Sequence, residues 1–411
     1  MSNKMTPEIR FKGFTQDWEQ RKLGDVTDYI KGFAFKSKDY KKNGVRIIRV
    51  SDLTRDKIKH SNNDIFVSIE LAEINKKYKI NKNEIIITTV GSKAEMKESA
   101  VGRPIIVNES GQYLLNQNLV KISALQGYDD YFIYSQLLQP IYTDYIALIE
   151  RGNANQANIA IKDLWNHQFS APKETEQRQI GTFFKQLDDT IALHQDKLGK
   201  LKQLKKGYMQ LMFPQKGKKI PRLRFAHFSQ EWEQRKLGEL AQFNPKSVLP
   251  DLFEYVDLES VVGTELLTYR NEKKINAPSR AQRLAKKGDI FYQTVRPYQR
   301  NNYLFDLSYE NYVFSTGYAQ LRPYGDSYFL LSRLQENMFV SKVLDRCTGT
   351  SYPAINSNDL AQIEVAVPPT LEEQVKIGFL FRGIDDTIAL QNKKISALQK
   401  TKKLYLQKMF T

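Results

Sequence analysis

Adjacent carboxylates are the first residues of this sequence whose types suggest chemistry. Asp188-Asp189 and Asp385-Asp386 open the hexamer Asp-Asp-Thr-Ile-Ala-Leu, which stands at 188–193 and again at 385–390. Two carboxylates on one substrate would supply a general acid and a general base. Both copies lie in sequence of helical periodicity, however, and neighbours on a helix point about 100° apart, so the members of a pair cannot address one bond. They are expected to be solvated or partner-facing charges.

Other catalytic vocabulary is sparse. The single cysteine, Cys347, has no base near it in sequence and reads as a packed side chain. The four histidines are scattered, and no Cys, Asp or Glu cluster accompanies His194, so no metal centre is expected. Neither a G-x-x-x-x-G-K-[ST] phosphate loop nor a G-x-G-x-x-G fingerprint occurs. Phe-Asn-Pro-Lys-Ser at 243–247 only begins like the Asn/Asp-Pro-Pro-aromatic tetrapeptide of adenine methyltransferases, and Thr-Val-Gly-Ser-Lys-Ala-Glu at 89–95 lacks the second glycine and the hydroxyl of a phosphate loop. The expectation is a chain with no catalytic, cofactor or metal site of its own.

Recognition chemistry is richer. The 411 residues carry 62 Lys and Arg against 46 Asp and Glu, a net charge of +16. A polyanion gains affinity from such a surface through counterion release, which favours nucleic acid as the partner. Base edges are read by Arg, Lys, Asn, Gln, Ser and Thr on groove-facing loops. The densest such stretch is 292–303, where Gln293, Arg296, Tyr298, Gln299, Arg300 and Asn301 crowd around a proline. Earlier in the chain the candidates are Thr88, Thr89, Ser92 and Lys93, then Asn116, Gln117 and Asn118, then Asn153 and Asn155. Thr350, Ser351 and Tyr352 correspond loosely to the last of these. Lysines further along (Lys197, Lys200, Lys202, Lys206, Lys393, Lys394, Lys400, Lys403) and the linker 214–224 serve either a phosphate backbone or solubility alone.

The elements that must position these loops are written twice. Residues 7–26 align without gaps to 221–240 with twelve identities in twenty, including Trp18 with Trp232 and the run Trp-Glu-Gln-Arg-Lys-Leu-Gly. Residues 175–213 align to 372–410. The 3,4 alternation Ile180, Phe184, Leu187, Ile191, His194, Leu198, Leu201, Lys205, Tyr208, Met212 recurs as Ile377, Phe381, Ile384, Ile388, Gln391, Ile395, Leu398, Lys402, Tyr405, Met409, and this heptad phase predicts two coiled-coil helices. Pro172 precedes the first, and Thr370 with Glu373 predicts a capping box on the second. His194/Gln391 and Lys205/Lys402 break the seam and are expected to fix register. Leu193 and Leu390 fall off the seam and mark either a partner helix or the helix's own domain. Trp18 and Trp232 are expected to be packing anchors. The centres 27–150 and 241–348 share only echoes, such as 82–89 with 287–294, each a turn into a short strand.

The fold expected is α+β. Two mixed α/β domains, 1–172 and 214–369, would be related by a pseudo-twofold and separated by two long antiparallel coiled-coil helices, 173–213 and 370–411. At about 1.5 Å per residue such helices reach roughly 55–60 Å, far enough to hold two readers on DNA half-sites about a turn apart.

The arrangement of variable centre and repeated helix, with Trp-Glu-Gln-Arg-Lys-Leu-Gly opening each half, resembles the specificity subunit of type I restriction-modification systems over essentially the whole chain. The resemblance implies two target recognition domains, each reading half of a split DNA sequence. It implies helices that dock two methyltransferase subunits, with two motor-nuclease subunits joining them. S-adenosylmethionine, ATP and Mg2+ then belong to those partners, and the chain itself is non-catalytic. A reducing cytoplasm is expected from the lone cysteine and the absence of an apolar N-terminal segment, and no run approaches the roughly 18 apolar residues of a membrane span. Two rivals stand beside this reading: a duplicated coiled-coil scaffold that binds only proteins, and a self-sufficient methyltransferase or nuclease.

Overall fold

The computed structural model describes residues 7–54, 57–60, 63–93, 100–108, 111–153 and 156–410. They form two compact units, residues 1–194 with 394–411 and residues 195–393, so each long helix contributes one part to each unit.

In the first unit the repeated entry motif forms strand Glu19–Lys22, antiparallel to Gln168–Ala171. A four-stranded antiparallel sheet follows, in the order Thr27–Lys31, Leu119–Ala124, Ile85–Thr88, Pro104–Ile106. Its central run Ile85-Ile86-Ile87 does not alternate with polar residues because both of its faces are covered. Ile85 and Ile87 pack with Trp18, Leu23 and Phe132, while Ile86 packs with Ile48, Ile105 and Leu119. A second sheet, ordered Ile65–Val67, Val45–Ile48, Tyr113–Leu115, Lys79–Ile80, contains one parallel pair, Val45–Ile48 with Tyr113–Leu115.

The second unit repeats this plan strand for strand. Glu233–Lys236 pairs with Glu364–Val367. One sheet is ordered Ala241–Phe243, Tyr318–Pro323, Ile290–Gln293, Tyr303–Leu304, and the other Arg270–Lys273, Leu252–Val256, Tyr312–Ser315, Ala281–Leu284, again with one parallel pair. The duplication therefore runs through the centres that look unrelated in sequence. It extends to Asp129–Tyr142 against Asp326–Phe339, where each aspartate caps a short helix by accepting from the backbone N–H three residues on. A fold conserves burial and backbone pairing, which many sequences satisfy, so only the frame residues remain alike.

The long helices span Glu174–Met212 and Leu371–Phe410. Every seam position of the two heptad series is buried or half-buried. In the first unit Phe183 meets Tyr405 at 5.1 Å and Phe184 meets Phe410 at 5.8 Å between ring centroids, while Asp188 meets Lys402, so the two helix segments run antiparallel. In the second unit Phe213 meets Phe381 at 5.3 Å and Lys205 meets Asp385, with the same sense.

Two expectations change. Asp188 and Asp385 are not solvated: each accepts a seam lysine and a tyrosine hydroxyl, from Tyr131 and Tyr328 respectively. Asp189 and Asp386, the second member of each pair, are exposed, near Lys185 and Arg382 one turn back. Glu373 turns to Arg224, which grips both of its oxygens at 2.7 and 2.8 Å, and to Trp232 Nε1 at 3.3 Å, instead of closing a capping box. Arg10 grips Glu176 in the same bidentate way in the first unit. A buried carboxylate needs a charged partner more than a helix end needs a second cap. The tryptophans pack as anchors: Trp18 lies edge-on to Phe132 at 5.8 Å, and Trp232 likewise to Phe329 at 5.7 Å.

Candidate nucleic-acid interface

In the second unit the chain leaves strand Ile290–Gln293, makes a short 3-10 turn at Pro297–Gln299 and returns through Tyr303–Leu304. Alongside lies the loop ahead of the second long helix. Val295 bridges to Ala354, Arg296 N donates to Pro353 O at 2.7 Å, and Ile355 N donates to Thr294 O at 3.0 Å. These bonds bring the stretch at 292–303 together with Thr350, Ser351 and Tyr352, about fifty residues on, and all three of the latter are exposed.

Arg296 and Arg300 bracket the turn, both in the left-handed region with φ of 55° and 56°. Arg300 is spent within the fold, donating to Gln335 O at 3.0 Å and Asn337 Oδ1 at 2.7 Å. Arg296 lies 4.3 Å over the ring of Tyr352, and among the described residues nothing accepts a hydrogen bond from its guanidinium. Tyr298 and Gln299 are exposed, and Asn301 Oδ1 accepts from Gly263 N at 2.8 Å. Burial raises both the Tyr292 phenol and the Cys347 thiol above their ordinary values.

The first unit builds the same platform. Strand Val90–Gly91 continues Ile85–Thr88 and pairs with Ala157–Asn158, which pairs in turn with Arg151–Gly152. Ile159 N donates to Thr89 O at 3.0 Å and Thr89 N to Asn118 O at 2.9 Å. Residues 88–93, 116–118, 151–153 and 156–158 thus converge as their counterparts do. Gln117 and Asn153 are exposed, and Asn116, Asn118 and Lys93 half-buried. Asn155 lies outside the described residues.

Several candidates hold the platform instead of facing solvent. Thr88 is 2% exposed, donating from Oγ1 to Ala100 O at 2.7 Å and accepting from Arg103 N at 3.0 Å. Gln293 is also 2% exposed; its N–H donates to Asn302 Oδ1 and its Nε2 to Gln299 Oε1 at 3.0 Å. Thr89 and Ser92 are buried too. A polar residue at the end of a two-faced strand bonds inward, because the backbone beside it still needs partners.

The sequence reading missed Phe33. It bridges to Asn116 and stacks on Tyr78 at 5.2 Å while remaining partly exposed, and Gly32 beside it approaches so closely that a Cβ would lie 1.8 Å from Asn116 O. The paired aromatics of 33–35 flanked by Gly32 were the available signal.

The family described as the type I restriction modification DNA specificity domain matches residues 15–203 and 229–400, one stretch in each half of the duplication. The chain belongs to this family. It is a DNA specificity subunit of the type I restriction-modification class, which disfavours a scaffold that binds only proteins. Similar curated proteins carry the same description: the type I restriction enzyme MjaVIII specificity subunit of Methanocaldococcus jannaschii is 22% identical, covering 96% of this chain and 92% of its own. The HindI specificity subunit of Haemophilus influenzae is 25% identical over 39% of this chain and 36% of its own. The crystal structure of the type I restriction-modification S subunit from M. genitalium shares the fold, with a TM-score of 0.69, 17% identity and 99% of each chain covered. Among the described residues no helix is long and apolar enough to cross a membrane, and no cluster of three His, Cys, Asp or Glu stands ready for a metal ion.

Proposed function

We propose that each unit of this specificity subunit reads one half of a split, asymmetric DNA sequence through its converged loops, and that the long helices set the spacing between the halves. The reading rests on one observation: the same strand-and-loop platform is built twice and carries different polar side chains each time. A shared frame with unlike tips suits two readers of unlike half-sites.

In this reading the chain makes no bonds and breaks none. Two methyltransferase subunits dock on the helices and bring S-adenosylmethionine to an adenine in each half. Two motor-nuclease subunits bring ATP and Mg2+ for translocation and cleavage. Leu193 and Leu390, exposed on the repeated hexamer, are docking positions for the methyltransferase subunits. The assembly works on cytoplasmic DNA.

The test is a chimera in which residues 27–150 are exchanged for the matching part of a relative, followed by mapping of methylated adenines in a host carrying it with its partner subunits. One half of the methylated sequence changes and the other stays. A chimera that alters both halves contradicts independent readers.

A further inference from the structure

The geometry points to Arg296 as the side chain with which the second unit reads a guanine, a statement that rests on the proposed function above. Four observations carry it. Among the described residues only five that are not glycine have positive φ, and two of them, Arg296 and Arg300, lie in this one turn. Glycine adopts that backbone freely, whereas an arginine there carries a backbone cost that its head group has to offset.

The two heads are used differently. Arg300 bonds a backbone carbonyl and an asparagine of its own unit and so fixes the turn. Among the described residues Arg296 has no such acceptor, and it lies over Tyr352, which is 63% exposed. A guanidinium stacked on a ring keeps its plane while its N–H groups stay open at the edge.

The first unit supplies the comparison. Val90 pairs with Asn158 as Val295 bridges to Ala354, and the residue after each valine is Gly91 in one unit and Arg296 in the other. At equivalent places on equivalent platforms, one reader has no side chain and the other has a planar fork of donors.

Among bases, guanine offers two acceptors, O6 and N7, side by side in the major groove, and they match that fork. The same fork also matches two phosphate oxygens; a base is favoured here because phosphate contacts carry no sequence information, whereas the two units differ at this place, with Gly91 in one and Arg296 in the other.

The experiment compares the wild-type subunit with Arg296→Gly, Arg296→Lys, Tyr352→Phe and Tyr352→Ala, each assembled with its methyltransferase partner. Methylated sites are mapped, and affinity for the mapped site is measured against salt. Arg296→Gly keeps the left-handed backbone without strain, so folding is preserved.

Arg296→Gly and Arg296→Lys weaken the mapped site by about ten- to a hundredfold and relax one guanine position in one half only. Tyr352→Phe leaves both unchanged, and Tyr352→Ala moves toward Arg296→Gly. The inference is overturned if Arg296→Gly weakens all sequences alike with a salt slope smaller by about one, the mark of a phosphate contact. It is equally overturned if Arg296→Gly reads the wild-type sequence unchanged. Wild-type assemblies that show no sequence preference at all would defeat the proposed function itself.

Discussion

Lys402 places its ammonium nitrogen 2.6 and 2.8 Å from the two carboxylate oxygens of Asp188, a residue 214 positions away. Lys205 does the same to Asp385, at 2.6 and 2.7 Å. The first aspartate of the repeated hexamer and the lysine that breaks the apolar seam are thus two ends of one bond, made once in each unit.

Because all four side chains are largely shielded from water, removing one partner strands a charge. Lys402→Met is expected to lower stability by about 2–3 kcal/mol, and the double change Lys402→Met with Asp188→Leu by less than the sum of the single changes. A double-mutant cycle from denaturant unfolding reads this; additive losses would mean that the pair contributes nothing.

Gly181 and Gly378 sit under the capping aspartates, where a Cβ would fall 2.0 Å from Asp129 Oδ1 and 2.1 Å from Asp326 Oδ1. Alanine normally strengthens a helix interior by up to about 1 kcal/mol relative to glycine. Here the sign reverses: Gly181→Ala is expected to cost about 1–3 kcal/mol. Gly199→Ala and Gly207→Ala, with nothing within 4 Å, are expected to raise the midpoint of thermal unfolding.

His167 is buried beside Tyr142, Tyr145 and Phe169, and burial pushes its pKa down to about 4. The unfolded chain then binds the proton more readily than the native one, so stability falls as pH drops from about 6.5 toward 4. That loss is expected to reach about 3 kcal/mol. Unfolding measured across this range should have a shallower pH slope in His167→Phe; an unchanged slope would clear His167 of the effect.

Leu193 is 66% exposed and Leu390 51%, each on a helix whose opposite face is packed. Leu193→Glu and Leu390→Glu should leave thermal unfolding of the isolated subunit within about 0.5 kcal/mol of wild type. Copurification with the methyltransferase partner should drop, and undiminished assembly would remove these leucines from the docking face.

Much of the candidate site was legible, but not its facing. The stretch 292–303 could be picked out because arginines and amides around a proline rarely gather without a use, and Tyr298, Gln299 and Arg296 do lie at the surface or partly so. Thr88 and Gln293, chosen on the same grounds, turn inward. Residue type states what a side chain is able to bond; the neighbours brought in by the fold decide what it does bond.

The sequence alone determined the two long helices, their apolar seam and the duplicated frame, since a heptad repeat and an internal alignment are local, one-dimensional properties. Only the tertiary structure decided that Asp188 answers Lys402, that Glu373 answers Arg224, and that residues near 90, 117 and 157, or near 296 and 352, share one surface. Those pairings depend on which strands meet, and strand meeting is governed by burial summed over the whole unit, which no short window of sequence contains.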